Sequence, residues 1–72
     1  MAITYNKLWK LMIDKGINKT QLRTKAGIST NAMAKLGKNE SVTTDVLVKI
    51  CTALQCDIGD IMEIVPTSNN QQ

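Results

Sequence analysis

At 72 residues the chain has room for one small domain, and a domain of this size buries only about 60% of its unfolded surface. A hydrophobic fraction of 43% with 21% charged residues is that of a globular fold and excludes a disordered chain. The net charge of +3 is unevenly placed: residues 1–38 hold eight cations against Asp14 alone, and residues 39–72 hold Lys49 against five carboxylates.

From Tyr5 to Lys15 the spacing of Leu8, Leu11 and Met12, with Tyr5 at one end, predicts a first helix closed by Gly16. Trp9 and Ile13 widen its apolar surface, toward the C-terminal segment, a partner subunit or a broad core face. Asn18 offers an N-cap oxygen and Gln21 stands three residues on, the spacing of a capping box. They open a second helix, Lys19 to about Ala26, which turns Leu22 and Ala26 inward. Gly27 suits the left-handed backbone of a tight turn, and Ile28 plugs the core behind it. Ser29 caps a third helix, Thr30 to about Leu36, with Met33 and Leu36 facing in.

A polar loop from Gly37 to Val42 leads to a fourth helix capped by Thr43 or Thr44, with Asp45 near the positive end of its dipole. Val46, Leu47, Ile50, Cys51 and Leu54 form its buried face. Asp57 caps a short fifth helix, with Asp60 in a reciprocal position, and Ile58, Ile61 and Met62 pack back. Glu63-Ile64-Val65 and Ile3-Thr4-Tyr5 are both β-prone, and could pair as a clip between the termini or between two subunits. Pro66 ends the pattern, and residues 67–72 read as a flexible polar tail.

Several function classes drop out. No apolar run is long enough to span a bilayer, and the first residues lack a signal-peptide block, so the expectation is a cytoplasmic protein without membrane contact. Cys51 and Cys56 are then expected to be reduced thiols. Catalysis is not expected, because histidine is absent and the usual general base near neutral pH with it. The two cysteines lack the further ligands that zinc needs, and the four glycines stand too far apart for a phosphate-cradling loop. The sequence therefore points to a binding module with no cofactor and no metal. The cationic first half is the footprint expected for a nucleic-acid binder, although lysines that merely solvate helix faces give the same count.

The stretch Asn18 to Ser29, followed by Met33 to Leu36, resembles the helix-turn-helix of small Cro/phage-repressor-like (XRE-type) regulators. The stretch Asp45 to Ile61 is similar to the last two helices of a compact bacterial branch of that family, the short regulators of mobile elements and antibiotic-resistance clusters. The resemblance covers roughly residues 17 to 65. It implies an all-α, five-helix DNA-binding domain over residues 1–66, with the helix-turn-helix at helices two and three. Two residues depart from the family pattern. Arg23 stands where a small residue is preferred, so its side chain must point outward or lay its stem across the helix pair. Gly37 stands where an acidic residue is common, which suggests an earlier end and a different cap for helix three.

The resemblance further implies double-stranded DNA as partner, with the third helix entering the major groove by its N-terminal turn. Thr30, Asn31, Ala34 and Lys35 are then the base contacts: amide to adenine, methyls to thymine, ammonium to guanine. Lys19, Thr20, Ser29, Lys38 and Asn39 are the phosphate contacts, with Ser29 serving first as a cap. Lys7, Lys10 and Lys15 are better read as solvated surface. One small module buries only about 600–1,000 Å² on DNA, which argues for a homodimer on a near-palindromic operator. Its dimer surface would use the fifth helix with Ile64 and Val65, or else Trp9 and Tyr5. A repressor that occludes a promoter is the leading expectation, controlled by a protein partner, by degradation or by competition for the site. The alternative is a protein-interaction module, antitoxin-like or an adaptor. Single-stranded RNA binding is disfavoured, since only Tyr5 and Trp9 could stack on bases.

Overall fold

The computed structural model describes residues 2–66. In chain order these form β1 (Ala2–Thr4), α1 (Asn6–Lys15), α2 (Lys19–Ala26), α3 (Thr30–Gly37), α4 (Thr44–Leu54), a 3-10 turn (Ile58–Asp60) and β2 (Glu63–Val65). The expected polar tail lies outside the described residues.

Local chemistry sets where each helix begins. The Asn18 side chain accepts from the Gln21 N–H at 2.8 Å and the Gln21 side chain accepts from the Asn18 N–H at 2.9 Å, so the capping box is complete. Ser29 Oγ accepts from the Ala32 N–H at 3.0 Å, and Thr43 Oγ1 from the Val46 N–H at 3.2 Å. Helix α1 has no such residue of its own. Its Asn6 N–H donates to Thr4 Oγ1, its Leu8 N–H to the Tyr5 and Ile61 carbonyls, and the N–H of the preceding Tyr5 to Asn39 Oδ1 at 3.1 Å.

All four helices end in the same way. A left-handed residue follows each (Gly16, Gly27, Asn39 and Gln55, with φ between 54° and 70°), and the next N–H reaches back five residues. Those closing bonds run from Ile17 to Met12, Ile28 to Arg23, Glu40 to Lys35 and Cys56 to Cys51, at 2.9–3.1 Å. Gly16 and Gly27 adopt this conformation at little cost, whereas Asn39 and Gln55 are held in it against their Cβ.

The core is one cluster to which every helix contributes: Tyr5, Leu8, Met12, Leu22, Ile28, Ala32, Leu36, Ile50, Leu54 and Ile61. Helix α2 packs chiefly on α4, and α1 lies on the 3-10 turn, where the Leu8 N–H donates to the Ile61 carbonyl at 3.2 Å. The strands β1 and β2 pair antiparallel, with Ile3 opposite Ile64 and Thr4 opposite Glu63. The terminal clip therefore closes within one chain.

Two expectations need correction. The fifth helix is a single 3-10 turn, so the described residues hold four α-helices. The Asp57–Asp60 capping box closes that turn, but the Ile61 carbonyl is taken by α1 and the chain must be extended by Glu63. Helix α3 does not stop early at Gly37 but includes it, because the left-handed stop falls on Asn39.

Candidate nucleic-acid interface

Spacing on α3 decides which side chains are free. Ile28, Ala32 and Leu36 repeat every fourth residue and are buried, with Met33 partly buried beside them. That leaves Thr30, Asn31 and Ala34 exposed, and Lys35 partly buried at the edge of the stripe. Ser29, Asn31 and Lys35 come together in a small cleft of about 190 Å³ that Val42, Thr43 and Val46 close from the far side. The free face of α3 thus carries an amide, a hydroxyl, a methyl and, at its border, an ammonium.

The expected phosphate contacts are spread over the two ends of this face. Lys19 and Thr20 are exposed in the first turn of α2, whose opening N–H groups carry the partial positive charge of the dipole. No acidic side chain lies in that turn. The Lys19 ammonium sits 4.9 Å from the centroid of the Trp9 ring. Lys38 is exposed just after α3. Ser29 Oγ accepts from the Ala32 N–H, and its hydroxyl proton is left to donate to a phosphate.

Asn39 has a structural assignment that the sequence reading missed. Its side-chain oxygen is bound to the Tyr5 N–H, and its backbone closes α3. One residue on, the Tyr5 hydroxyl donates to the Glu40 carbonyl at 2.8 Å. These two bonds bolt the loop after α3 to the start of α1. Only the Asn39 amide N–H groups remain for a phosphate. Tyr5, at 1% exposure, is core, which removes it from any dimer surface or base-stacking role.

Electrostatics separates the two halves of the chain. Among the described residues the single ion pair is Lys49 with Asp45, at 3.3 Å. None of the eight cations in residues 1–38 has a carboxylate within bonding distance among the described residues. Lys7 instead donates to the Gly59 carbonyl at 3.2 Å. Arg23 is partly buried, lying between the two alternatives that its bulk imposes. Cys51 and Cys56 are unbridged and partly buried. Burial, then the neighbouring Cys56, Asp57 and Asp60, pushes the Cys51 thiol up to about 11, which keeps it protonated and a poor nucleophile at neutral pH.

Residues 7–67 match the profile of the Cro/C1-type HTH DNA-binding domain. The chain belongs to the Cro/C1-type helix-turn-helix family. A solved structure, that of the transcriptional regulator VanUg, is 52% identical and superposes with a TM-score of 0.88, covering 92% of this chain and 88% of VanUg. Comparison with curated proteins gives no match. No helix among the described residues is long and apolar enough to cross a membrane.

Within the Cro/C1-type fold, two neighbours of the free face were not singled out from sequence. Thr43, read only as one of two candidate caps, also walls the cleft that holds Asn31 and Lys35. Ala32 is buried alongside the expected Met33 and Leu36, of which Met33 is partly buried against the core. The four-residue spacing of Ala32 from both Ile28 and Leu36 was the available signal.

Proposed function

We propose that the protein is a sequence-specific double-stranded DNA-binding transcriptional regulator, a repressor that binds a near-palindromic operator as a homodimer. The observation that carries this reading is the polar face of α3, unpartnered among the described residues, in a member of a DNA-binding family. The likeness to VanUg, itself a transcriptional regulator, supports the regulatory role. Helices α2 and α3 act as the helix-turn-helix, with α3 in the major groove. Thr30, Asn31, Ala34 and Lys35 read base edges; Lys19, Thr20, Ser29, Lys38 and the Asn39 amide hold phosphates. Residues 1–66 serve as a single DNA-binding domain, with residues 67–72 a polar extension.

Exposed apolar side chains favour a protein contact in addition. Val48 and Ile58 line one groove with Cys51 and Cys56, and Ile64 is 63% exposed on β2. These support the 3-10 turn and β2 as the homodimer surface, while Ile13, 77% exposed in the groove beside Trp9, supports the α1 face; Tyr5, being core, supports neither. A protein-interaction module in place of a regulator would use the same surfaces. Selecting bound duplexes from a random pool separates the readings. A regulator enriches a symmetric site, and Asn31→Ala and Lys35→Ala weaken it; a pure protein-binding module enriches nothing.

A further inference from the structure

Lysine side chains on a protein surface ordinarily wander, and ordering one at a binding site costs conformational entropy. A carboxylate partner would order it but would also neutralise it. Lys19 avoids both outcomes. Its ammonium lies over the Trp9 indole at 4.9 Å, and the first turn of α2 holds no acid that could compete for it. Trp9 is partly buried in α1, so its ring is a fixed platform, while Lys19 stays exposed. The two side chains and Gly37, at the far end of α3, border one open groove of about 360 Å³. A Cβ at Gly37 would meet no atom within 4 Å, so that side of the groove is open.

We infer that Trp9 is a positioning residue for DNA binding: its indole face holds the Lys19 ammonium, with no carboxylate paired to it among the described residues, at the place where a backbone phosphate is taken. The inference rests on the duplex-DNA reading above and adds to it a residue outside the helix-turn-helix. Trp9 is thus placed between two roles: it packs partly against the core cluster beside Leu8 and Met12, and its ring holds the lysine of the neighbouring helix.

The test uses the full chain, a selected duplex and affinities measured between 50 and 200 mM salt. Losing one phosphate contact makes the log–log salt slope shallower by about 0.9, a differential of roughly three- to fourfold across that range. Lys19→Gln should show that change. Trp9→Leu should show most of it, Trp9→Phe should restore the original slope, and the double variant should lose no more than Lys19→Gln alone. A Trp9→Leu slope equal to the parent's, or additive losses in the double variant, overturns the inference while leaving DNA binding intact. Should Trp9→Leu fail to fold, fluorinated tryptophan at this single tryptophan position keeps the ring's shape and weakens its negative face. Unchanged affinity with that ring overturns the inference equally, and reduced affinity supports it. A parent chain that binds no duplex even at 50 mM salt overturns the DNA reading itself, and the inference falls with it.

Discussion

Helices α3 and α4 begin with the same device, a hydroxyl that accepts from the N–H three residues on, and each fully buries two side chains. Their outer faces differ. On α4 most of the outward polar groups bond within the helix: Lys49 pairs with Asp45 at 3.3 Å, and Thr52 Oγ1 donates to the Val48 carbonyl at 2.8 Å. Among these outward groups of α4 stands one large apolar side chain, Val48, at 52% exposure. On α3 the outward Thr30, Asn31 and Ala34 have no side-chain partner among the described residues. Unspent hydrogen-bonding groups on a rigid rod are free for a ligand, whereas outward groups already bonded to one another within a helix offer a ligand less.

The difference can be broken or sharpened by substitution. The largest effects should be common to both helices. Leu36→Ala and Ile50→Ala each remove a side chain with 0% exposure, and each should cost about 2–5 kcal/mol in denaturant unfolding. That is a large share of the roughly 5–15 kcal/mol available to a natural domain. Outward changes should then part company. Asn31→Ala should weaken specific DNA binding by about 1–3 kcal/mol with little change in melting temperature. Lys49→Ala should leave DNA binding alone and cost about 0.5 kcal/mol of stability or less, as exposed ion pairs do. Equal effects of the two on DNA affinity would erase the distinction between the faces.

The loop that joins the helices should show an intermediate effect. Asn39→Ala forces a Cβ-bearing residue without a helpful side chain into the left-handed region and removes the bond to Tyr5, for a loss of about 2 kcal/mol. Asn39→Gly should recover about half of that, because only the hydrogen bond is then missing. Chemical denaturation of the two variants side by side separates the backbone from the side-chain contribution.

Much of this architecture is legible in the sequence wherever the determining contacts are local. The Asn18–Gln21 box, the left-handed Gly27 and the Ser29 cap each act across three residues or fewer, and all three lie where spacing puts them. Contacts between distant segments were not legible. Asn39 and Tyr5 are 34 positions apart, so nothing nearby marks Asn39 as a cap for α1. The fifth segment has an acceptable helix start at Asp57, but its end is met by distant partners: the Ile61 carbonyl accepts from Leu8, and Glu63 begins the strand paired with β1. The candidate site was readable as a set of exposed positions on α3, because helical periodicity assigns its faces. The hold of Trp9 on Lys19 was not, since it depends on how α1 crosses the start of α2.

The smallest effect concerns alkaline pH and involves two groups off the free face of α3. Burial raises the Tyr5 hydroxyl above its ordinary 10.0, and raises the Cys51 thiol from 9.0 to about 11. Both groups favour their protonated form in the folded chain. Their contribution is therefore complete below pH 9 for the thiol and is lost as pH rises through about 11. Unfolding curves taken across that interval should show declining stability, and Cys51→Ala should flatten the decline without touching DNA affinity at neutral pH.

The most direct measurement is a map of backbone amide shifts as a selected duplex is titrated into the labelled chain. The account predicts the largest shifts at Thr30, Asn31, Ala34 and Lys35, with smaller ones at Lys19, Thr20 and Lys38. Shifts confined to α4, the 3-10 turn and β2, with α3 silent, would contradict it.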